Sequence, residues 1–364
     1  MSPRIALPQA ALANAIRLRR SPWIVSYWDE SGLVCHNYLN HERFTAAPII
    51  TTVLDFFNDW KPLSELILHL PQFSPASLGR TIRQLVASSL LEVEGFVDPK
   101  SAAMEAWKQW SPAAPFFHFA TKDVKYRTEL ELSDYALRKY VRDNPQPCFF
   151  KRCSHEKRID VPRVKPSGDS EFLKVLFSRR SWREFAPKKL RRDHLAQLLN
   201  LTWGVQKYMR IKFLGLLPLK TSPSAGARHP TEVYVLALRV QGLARGIYHY
   251  CSDTHQLERV AKAPSKQKLI RYLGGQWWYG EAAAVFVMTA VFPRNMWKYA
   301  YARSYRAVLL DAGHLCQTLC LTATWLGLAP FCTAAVADSL IERDLGIDGI
   351  TESVVYVAGV GIRP

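Results

Sequence analysis

SPSAGARHPTEVYVLALR, residues 222–239, sets two opposed textures side by side. Ser222–Pro230 is a run of small, polar and proline residues, whereas Thr231–Arg239 is rich in β-branched and apolar side chains. The spacing therefore predicts a loop that runs straight into a strong strand. Small residues such as Ala225 and Gly226 let a backbone approach a flat ligand closely. Ser222, Ser224 and Arg228 add polar groups to the same loop. Alone, the segment reads equally well as an ordinary Pro/Gly connection, so its meaning rests on what surrounds it.

Working outward, residues 170–364 alternate helices and strands. Glu171–Phe177 and Arg192–Trp203 have helical spacing. Gly246–Tyr250 and His255–Val260 form a hairpin across Ser252–Thr254, and Ala282–Phe292 is a buried strand. A long helix runs to about Leu326, with Tyr305, Leu309, Ala312, Cys316, Leu319, Ala323 and Leu326 on one stripe and Gly327 as its stop. Asp338–Leu345 is a short helix and Glu352–Val360 the last strand. This order predicts an α+β domain with a central mixed sheet and surrounding helices. No G-x-G-x-x-G opens a helix after a strand, and no helix follows Gly359-Val360-Gly361, so a Rossmann dinucleotide site is not supported.

Two more segments could carry chemistry. Arg179-Arg180-Ser181-Trp182-Arg183 puts three guanidiniums and a hydroxyl within five residues, a set able to hold a phosphate and polar ring edges. Taken alone it is also what an exposed basic turn looks like. Gly327-Leu328-Ala329-Pro330-Phe331-Cys332-Thr333-Ala334-Ala335-Val336 leaves the long helix and crosses to the short one, where it can present backbone N–H groups to a ring system.

Taken in order, these segments resemble the nitroreductase superfamily and, within it, the SagB-type dehydrogenases, the azoline oxidases of thiazole/oxazole-modified peptide pathways. The resemblance rests on Arg179–Arg183 (R-R-S-x-R), Pro223–Pro230 (P-S-A-G-x-x-x-P), Asp311-Ala312-Gly313-His314 and Val354–Val360, and spans residues 170–364. It implies FMN as cofactor. Arg179, Arg180, Ser181 and Arg183 match the phosphate- and ring-edge-binding start, and Pro223, Ser224, Ala225, Gly226 and Arg228 match a loop lying against the flavin. Ala334 and Ala335 match the segment whose backbone N–H faces the reactive ring nitrogen, and Arg363 matches a cation that reaches the phosphate. It further implies a homodimer with FMN at the interface.

Lys298-Tyr299 stands where azoline oxidases carry a Lys-Tyr pair. Aromatising an azoline ring removes one C–H proton and passes one hydride to the flavin. A desolvated lysine, or a tyrosine beside a cation, can take such a proton, so Lys298 and Tyr299 are the expected catalytic acid/base pair. Two departures point to a reshaped pocket. Arg228-His229 replaces an apolar residue and a tyrosine, and Ala334-Ala335 replaces a Gly-rich pair.

The first 96 residues read as a smaller α+β unit. Trp23–Tyr27 and Leu33–Tyr38 suggest a hairpin. Helices opened by Pro48, by Pro62/Ser64 and by Ser74-Pro75 follow, then a strand at Leu90–Glu94. Three helices and a strand form a winged-helix-like pattern, expected to dock a peptide or to be purely structural. Arg80 and Arg83 are the only cations of the third helix, which argues against DNA readout. Residues 97–169 read as a linker or arm, with Trp107, Trp110, Phe116, Phe117 and Phe119 crowded around Pro112 and Pro115. Cys148, Cys153 and His155 fit no standard zinc spacing, and no metal is expected.

The net charge of +17 over 364 residues suits an anionic partner such as an acidic leader peptide, or a solubility charge spread over the surface. Seven scattered cysteines do not form a disulfide framework. The start, MSPRIALPQAALANAIRLRR, reads as an amphipathic helix rather than a signal peptide, and no run is long enough to span a membrane. A cytoplasmic location is the default expectation. The expected function is FMN-dependent oxidation of thiazoline or oxazoline rings in a ribosomal peptide, in partnership with a cyclodehydratase. The alternatives are an NAD(P)H-fed flavin reductase or nitroreductase, and a non-catalytic scaffold or leader-peptide-binding partner.

Overall fold

The computed structural model describes residues 16–96, 98–123, 139, 142–143, 170–212 and 215–364. They divide into two compact units, one within Met1–Lys122 with Ala300–Arg303, the other within Asp123–Tyr299 with Ser304–Pro364. The Cys148, Cys153 and His155 group lies outside the described residues, as does most of the expected arm.

The smaller unit is α+β. Strand β1 (Arg17–Arg20) is followed by an antiparallel meander of β2 (Ile24–Asp29), β3 (Gly32–Asn37) and β4 (Glu42–Ala46). Then come α1 (Ile49–Phe56), β5 (Lys61–Pro62), α2 (Leu63–His69), α3 (Pro75–Ala87) and β6 (Leu91–Val93). The second sheet has the order β5-β1-β6. Helix α3 starts as its sequence dictates: the Ser74 side chain accepts the Ser77 N–H, Pro75 fills the first turn, and Leu78, Ile82, Leu85 and Val86 are buried on one face.

Two expectations change here. Arg17–Arg20 is a strand, not the end of an amphipathic helix, because β5 and β6 pair with it from about 40 and 70 residues away along the chain. Residues 98–123 are not a linker. They form α4 (Lys100–Ala103), a 3-10 turn (Met104–Gln109) and α5 (Ala113–Ala120), with Trp107, Trp110 and Phe119 inside. Trp107 packs edge-on to Trp110 at 5.4 Å and stacks on His118 at 5.3 Å, while Phe116 and Phe119 pack on Tyr38 at 5.9 and 6.3 Å, so the aromatic crowd closes against the β2–β3 hairpin.

The larger unit begins with α6 (Glu171–Ser178) and α7 (Arg192–Thr202), then a hairpin of β7 (Lys207–Ile211) and β8 (Gly215–Leu219). The strands β9 (Thr231–Ala237), β10 (Gly246–Cys251), β11 (Gln256–Ala261), β12 (Ala284–Val291), β13 (Leu328–Thr333) and β14 (Glu352–Ile362) form one six-stranded sheet. Helices α8 (Lys266–Tyr272), α9 (Pro293–Met296), α10 (Ser304–Trp325) and α11 (Asp338–Leu345) complete the unit.

The sheet order is β11-β10-β9-β12-β14-β13, and every ladder in it is antiparallel, where a mixed sheet was expected. The reason lies in the α10 crossover. It returns β13 in the same direction as β12, as a parallel crossover would, but β14 fills the place between them and opposes both. Strand alternation then builds two cores. Phe286, Met288, Ala358 and Val360 face α7 and α10, packing on Leu198, Trp203, Leu319 and Ala323. Val285, Val287, Val354 and Val357 face the other way, onto Tyr272, Tyr279, Ile341 and Leu345. Gly327, at φ +70°, ends α10 as expected, but the segment after it is edge strand β13 rather than a free crossing. Among the described residues, no helix is long and apolar enough to cross a membrane.

Candidate functional site

The loop ahead of β9 is held by helix α10. The Ser224 hydroxyl donates to Asp311 Oδ2 at 2.5 Å, and the Ala225 N–H faces both Asp311 oxygens at 3.3 Å. The His229 N–H donates to Ser224 Oγ at 2.9 Å. Ser222 and Thr318 share a hydroxyl–hydroxyl bond of 2.7 Å one stage further along the helix. Ala225–Ala227 forms a 3-10 turn in which Gly226 (φ +60°) and Ala227 (φ +53°) are left-handed, as is His229 at +43°. Glycine meets this at the tightest point. A Cβ on Gly226 would stand 2.6 Å from the Tyr299 hydroxyl and 2.7 Å from Lys298 Nζ.

Lys298 and Tyr299 therefore do meet the loop, with their polar ends together over Gly226. Lys298 is exposed and Tyr299 half-buried, so the burial expected around the lysine is not supplied by this chain alone. Arg228 donates to the Gly226 carbonyl at 3.0 Å and lies 5.2 Å over the Trp297 ring. Arg294, absent from the sequence expectations, donates to the His229 carbonyl at 3.0 Å and pairs with Glu232 at 2.5 Å, tying the loop to the segment that carries Lys298. Burial lowers His229 to about 4, and its Nε2 lies 3.0 Å from the Pro218 carbonyl, which the neutral ring can donate to. Burial, opposed by the Ser224 and Ala225 hydrogen bonds, raises the Asp311 carboxyl above its usual range.

The remaining predicted residues gather elsewhere. The Trp182 N–H donates to the Pro330 carbonyl at 3.0 Å and the Ala186 N–H to the Ile362 carbonyl at 2.9 Å, so Arg179–Arg183 lies against the sheet edge. This leaves Arg180, Ser181 and Arg183 exposed and Arg179 half-buried. Arg183 lies 5.5 Å over Trp278, and Arg180 reaches the carbonyls of Phe177 and Arg179. Arg363 stacks 5.5 Å over Trp182 and donates to the carbonyls of Leu328 (3.1 Å) and Thr324 (3.4 Å), which caps the end of α10. The Ala335 N–H is held by the Thr333 hydroxyl at 3.0 Å, while Ala334 is exposed next to it.

The predicted residues thus form two clusters rather than one. The loop cluster sits at Asp311 and the arginine cluster at Thr324, thirteen residues apart on α10, roughly 20 Å at the helical rise.

The nitroreductase family profile matches residues 176–362, just over half of the chain. The chain belongs to this family, an oxidoreductase fold, as the motif resemblance implied. Its relatives add a narrower similarity. It is 26% identical over 356 residues to the trifolitoxin-processing protein TfxB of Rhizobium leguminosarum bv. trifolii, covering 90% of this chain and 88% of that protein. It is 31% identical over 173 residues to a Methanocaldococcus jannaschii protein that carries the name nitroreductase (MJ1384), covering 48% of this chain and 83% of that one. Among solved structures, a chain of the E. coli microcin synthetase McbBCD complex with truncated pro-MccB17 bound matches with 22% identity and a TM-score of 0.46. That match covers 66% of this chain and 84% of the other.

Proposed function

We propose that the chain is a SagB-type, FMN-dependent dehydrogenase that oxidises thiazoline or oxazoline rings in a ribosomally made peptide. The similarity to a trifolitoxin-processing protein along nearly the whole chain supports a role in peptide modification. The observation that carries the reading is the split donor set. Arg179, Arg180, Ser181 and Arg183 offer a phosphate- and ring-edge-binding surface, and the left-handed Ala225–Gly226–Ala227 turn offers a close backbone approach to a flat ring. Standing roughly 20 Å apart in one chain, the two complete one site when the arginine cluster of one protomer meets the loop of its partner.

An unpartnered apolar surface fits that dimer. Helix α6 buries none of its residues, and Phe172, Leu176 and Phe177 stand exposed with Leu309, Leu310 and Trp325 of α10. Trp325 donates to Glu171 at 2.7 Å, which ties α6 to the end of α10.

FMN would supply the hydride acceptor when bound, with oxygen as the final electron acceptor. The chain supplies the rest. Arg179 and Arg183 anchor the anionic end, with Arg363 supporting the turn through Trp182 and the α10 carbonyls. Asp311 and Ser224 fix the loop. Lys298 or Tyr299, poised together over Gly226, removes the ring C–H proton. The occupied Ala335 N–H leaves that position a supporting role in fixing the turn after β13. The smaller unit, winged-helix-like in its three helices, docks the leader peptide or a cyclodehydratase partner by strand addition, and the chain's basic charge suits an acidic leader.

The test is to incubate the purified yellow protein with an azoline-bearing peptide in air. Loss of two hydrogens per ring in the product mass is the expected result. Rapid bleaching by NAD(P)H with an unchanged peptide would replace the proposal by a flavin reductase.

A further inference from the structure

Two cysteines of α10 and one of β13 converge. Cys316 and Cys320 stand one helical turn apart on the buried face of α10, inside the core against the sheet. Phe331 points into the opposite core, so alternation along β13 turns Cys332 toward α10. The three sulfurs lie within 4.8 Å of one another. Packing explains Cys316 and Cys320 singly, since cysteine serves as a small apolar core residue. It does not explain an exposed Cys332 aimed at both.

We propose that Cys316, Cys320 and Cys332 form a three-thiolate site for a single thiophilic d10 metal ion, Zn2+ or Cu+. One ion engages all three sulfurs, whereas a disulfide engages two. A tetrahedral zinc–thiolate centre with bonds of about 2.3 Å holds its sulfurs about 3.8 Å apart, whereas a disulfide must draw two of them to about 2.05 Å. The donor set is all sulfur, which selects soft ions over Mg2+ or Ca2+. The Tyr356 hydroxyl donates to Cys332 Sγ at 3.2 Å, and Arg179 sets a positive charge beside Cys320 and Cys332 that balances an anionic thiolate centre. Exposure of Cys332 gives the ion its way in and leaves a fourth position toward solvent.

The competing cluster of His249, Cys251 and Glu258 is an internal control. It offers one sulfur beside an imidazole and a carboxylate, a harder donor set than three thiolates.

The experiment is a metal titration of the full-length protein, reduced and stripped with a chelator. Co2+ should give one equivalent of thiolate-to-cobalt charge-transfer absorbance, displaced by Zn2+. A chromogenic chelator competing for Cu+ distinguishes the two ions. Cys332→Ala, at an exposed position, should weaken binding by more than about tenfold, the loss typical of even an outer-shell partner. Cys320→Ala should do the same, and Cys251→Ser should bind as the native chain does. Absence of the charge-transfer band, undiminished binding by Cys332→Ala, or a disulfide among the three in the freshly purified protein would overturn the proposal.

Discussion

Asp311, in the middle of the D-A-G-H helix, accepts the Ser224 hydroxyl at 2.5 Å, and its two oxygens face the Ala225 N–H. Two motifs 87 residues apart are therefore one device. The carboxylate sets the conformation of the P-S-A-G loop, and the loop in turn satisfies a buried carboxylate that would otherwise be costly.

Removing the acceptor should be felt at once. Asp311→Ala leaves the Ser224 hydroxyl and the Ala225 N–H without it, and hydrogen bonds to charged groups contribute about 1.5–3 kcal/mol each. A loss of stability of that order in urea titration is expected, together with reduced flavin content. Ser224→Ala should show the same pattern more weakly. Unchanged stability and flavin in Asp311→Ala would detach the helix from the loop.

Gly226→Ala separates activity from stability. The left-handed backbone costs an alanine about 1–2 kcal/mol. Its methyl also displaces the flexible ends of Lys298 and Tyr299, which lie within 2.7 Å of the new atom. Turnover should fall by a larger factor than the stability loss accounts for. A variant with native turnover would place those two ends outside the reaction.

Lys298→Ala and Tyr299→Phe should keep the yellow flavin and lose dehydrogenation of the azoline peptide, because their role is to take the ring proton rather than to hold the cofactor. Absorbance spectra and product mass on the same samples decide it. Native turnover by both variants would remove them from the mechanism.

His229 should leave a signature in the pH dependence of stability. Burial holds its imidazole at about 4, below the ordinary 6.5. The unfolded chain takes up this proton near 6.5 and the folded chain only near 4. The His229 contribution is thus present above pH 6.5 and lost as pH falls from 6.5 toward 4. His229→Asn, which tolerates the positive φ, should flatten the fall in Tm across that window. Buried His118 is lowered in the same direction and remains in both proteins, so the difference between them isolates His229. Parallel curves for the two proteins would contradict the assignment.

Local pattern made much of this molecule legible. The helix Asp338–Leu345 and the strand starting at Thr231 stand where the sequence pattern puts them. What escaped depends on partners distant in the chain. Arg17–Arg20 has no strand pattern of its own and is a strand because β5 and β6 flank it. Lys207–Ile211 lacks a buried alternating face, so its hairpin gives little hydrophobic signal. The Asp311–Ser224 bond and the role of Arg294 require the folded juxtaposition of α10, β9 and the segment after β12. The cysteine trio escaped because Cys332 follows Cys320 across a helix stop and a strand start, and only strand alternation turns it inward.

Flavin loading of mixed dimers tests the central claim, that one binding site takes the arginine cluster of one chain and the loop of the other. One variant carries Arg179→Ala with Arg183→Ala, the other Ser224→Ala with Asp311→Asn, and each alone should purify without flavin. Unfolded together and refolded, about half of the dimers are mixed, and each mixed dimer has one intact site, so flavin should return to about a quarter of the native level. A mixture as colourless as its components would contradict the shared site.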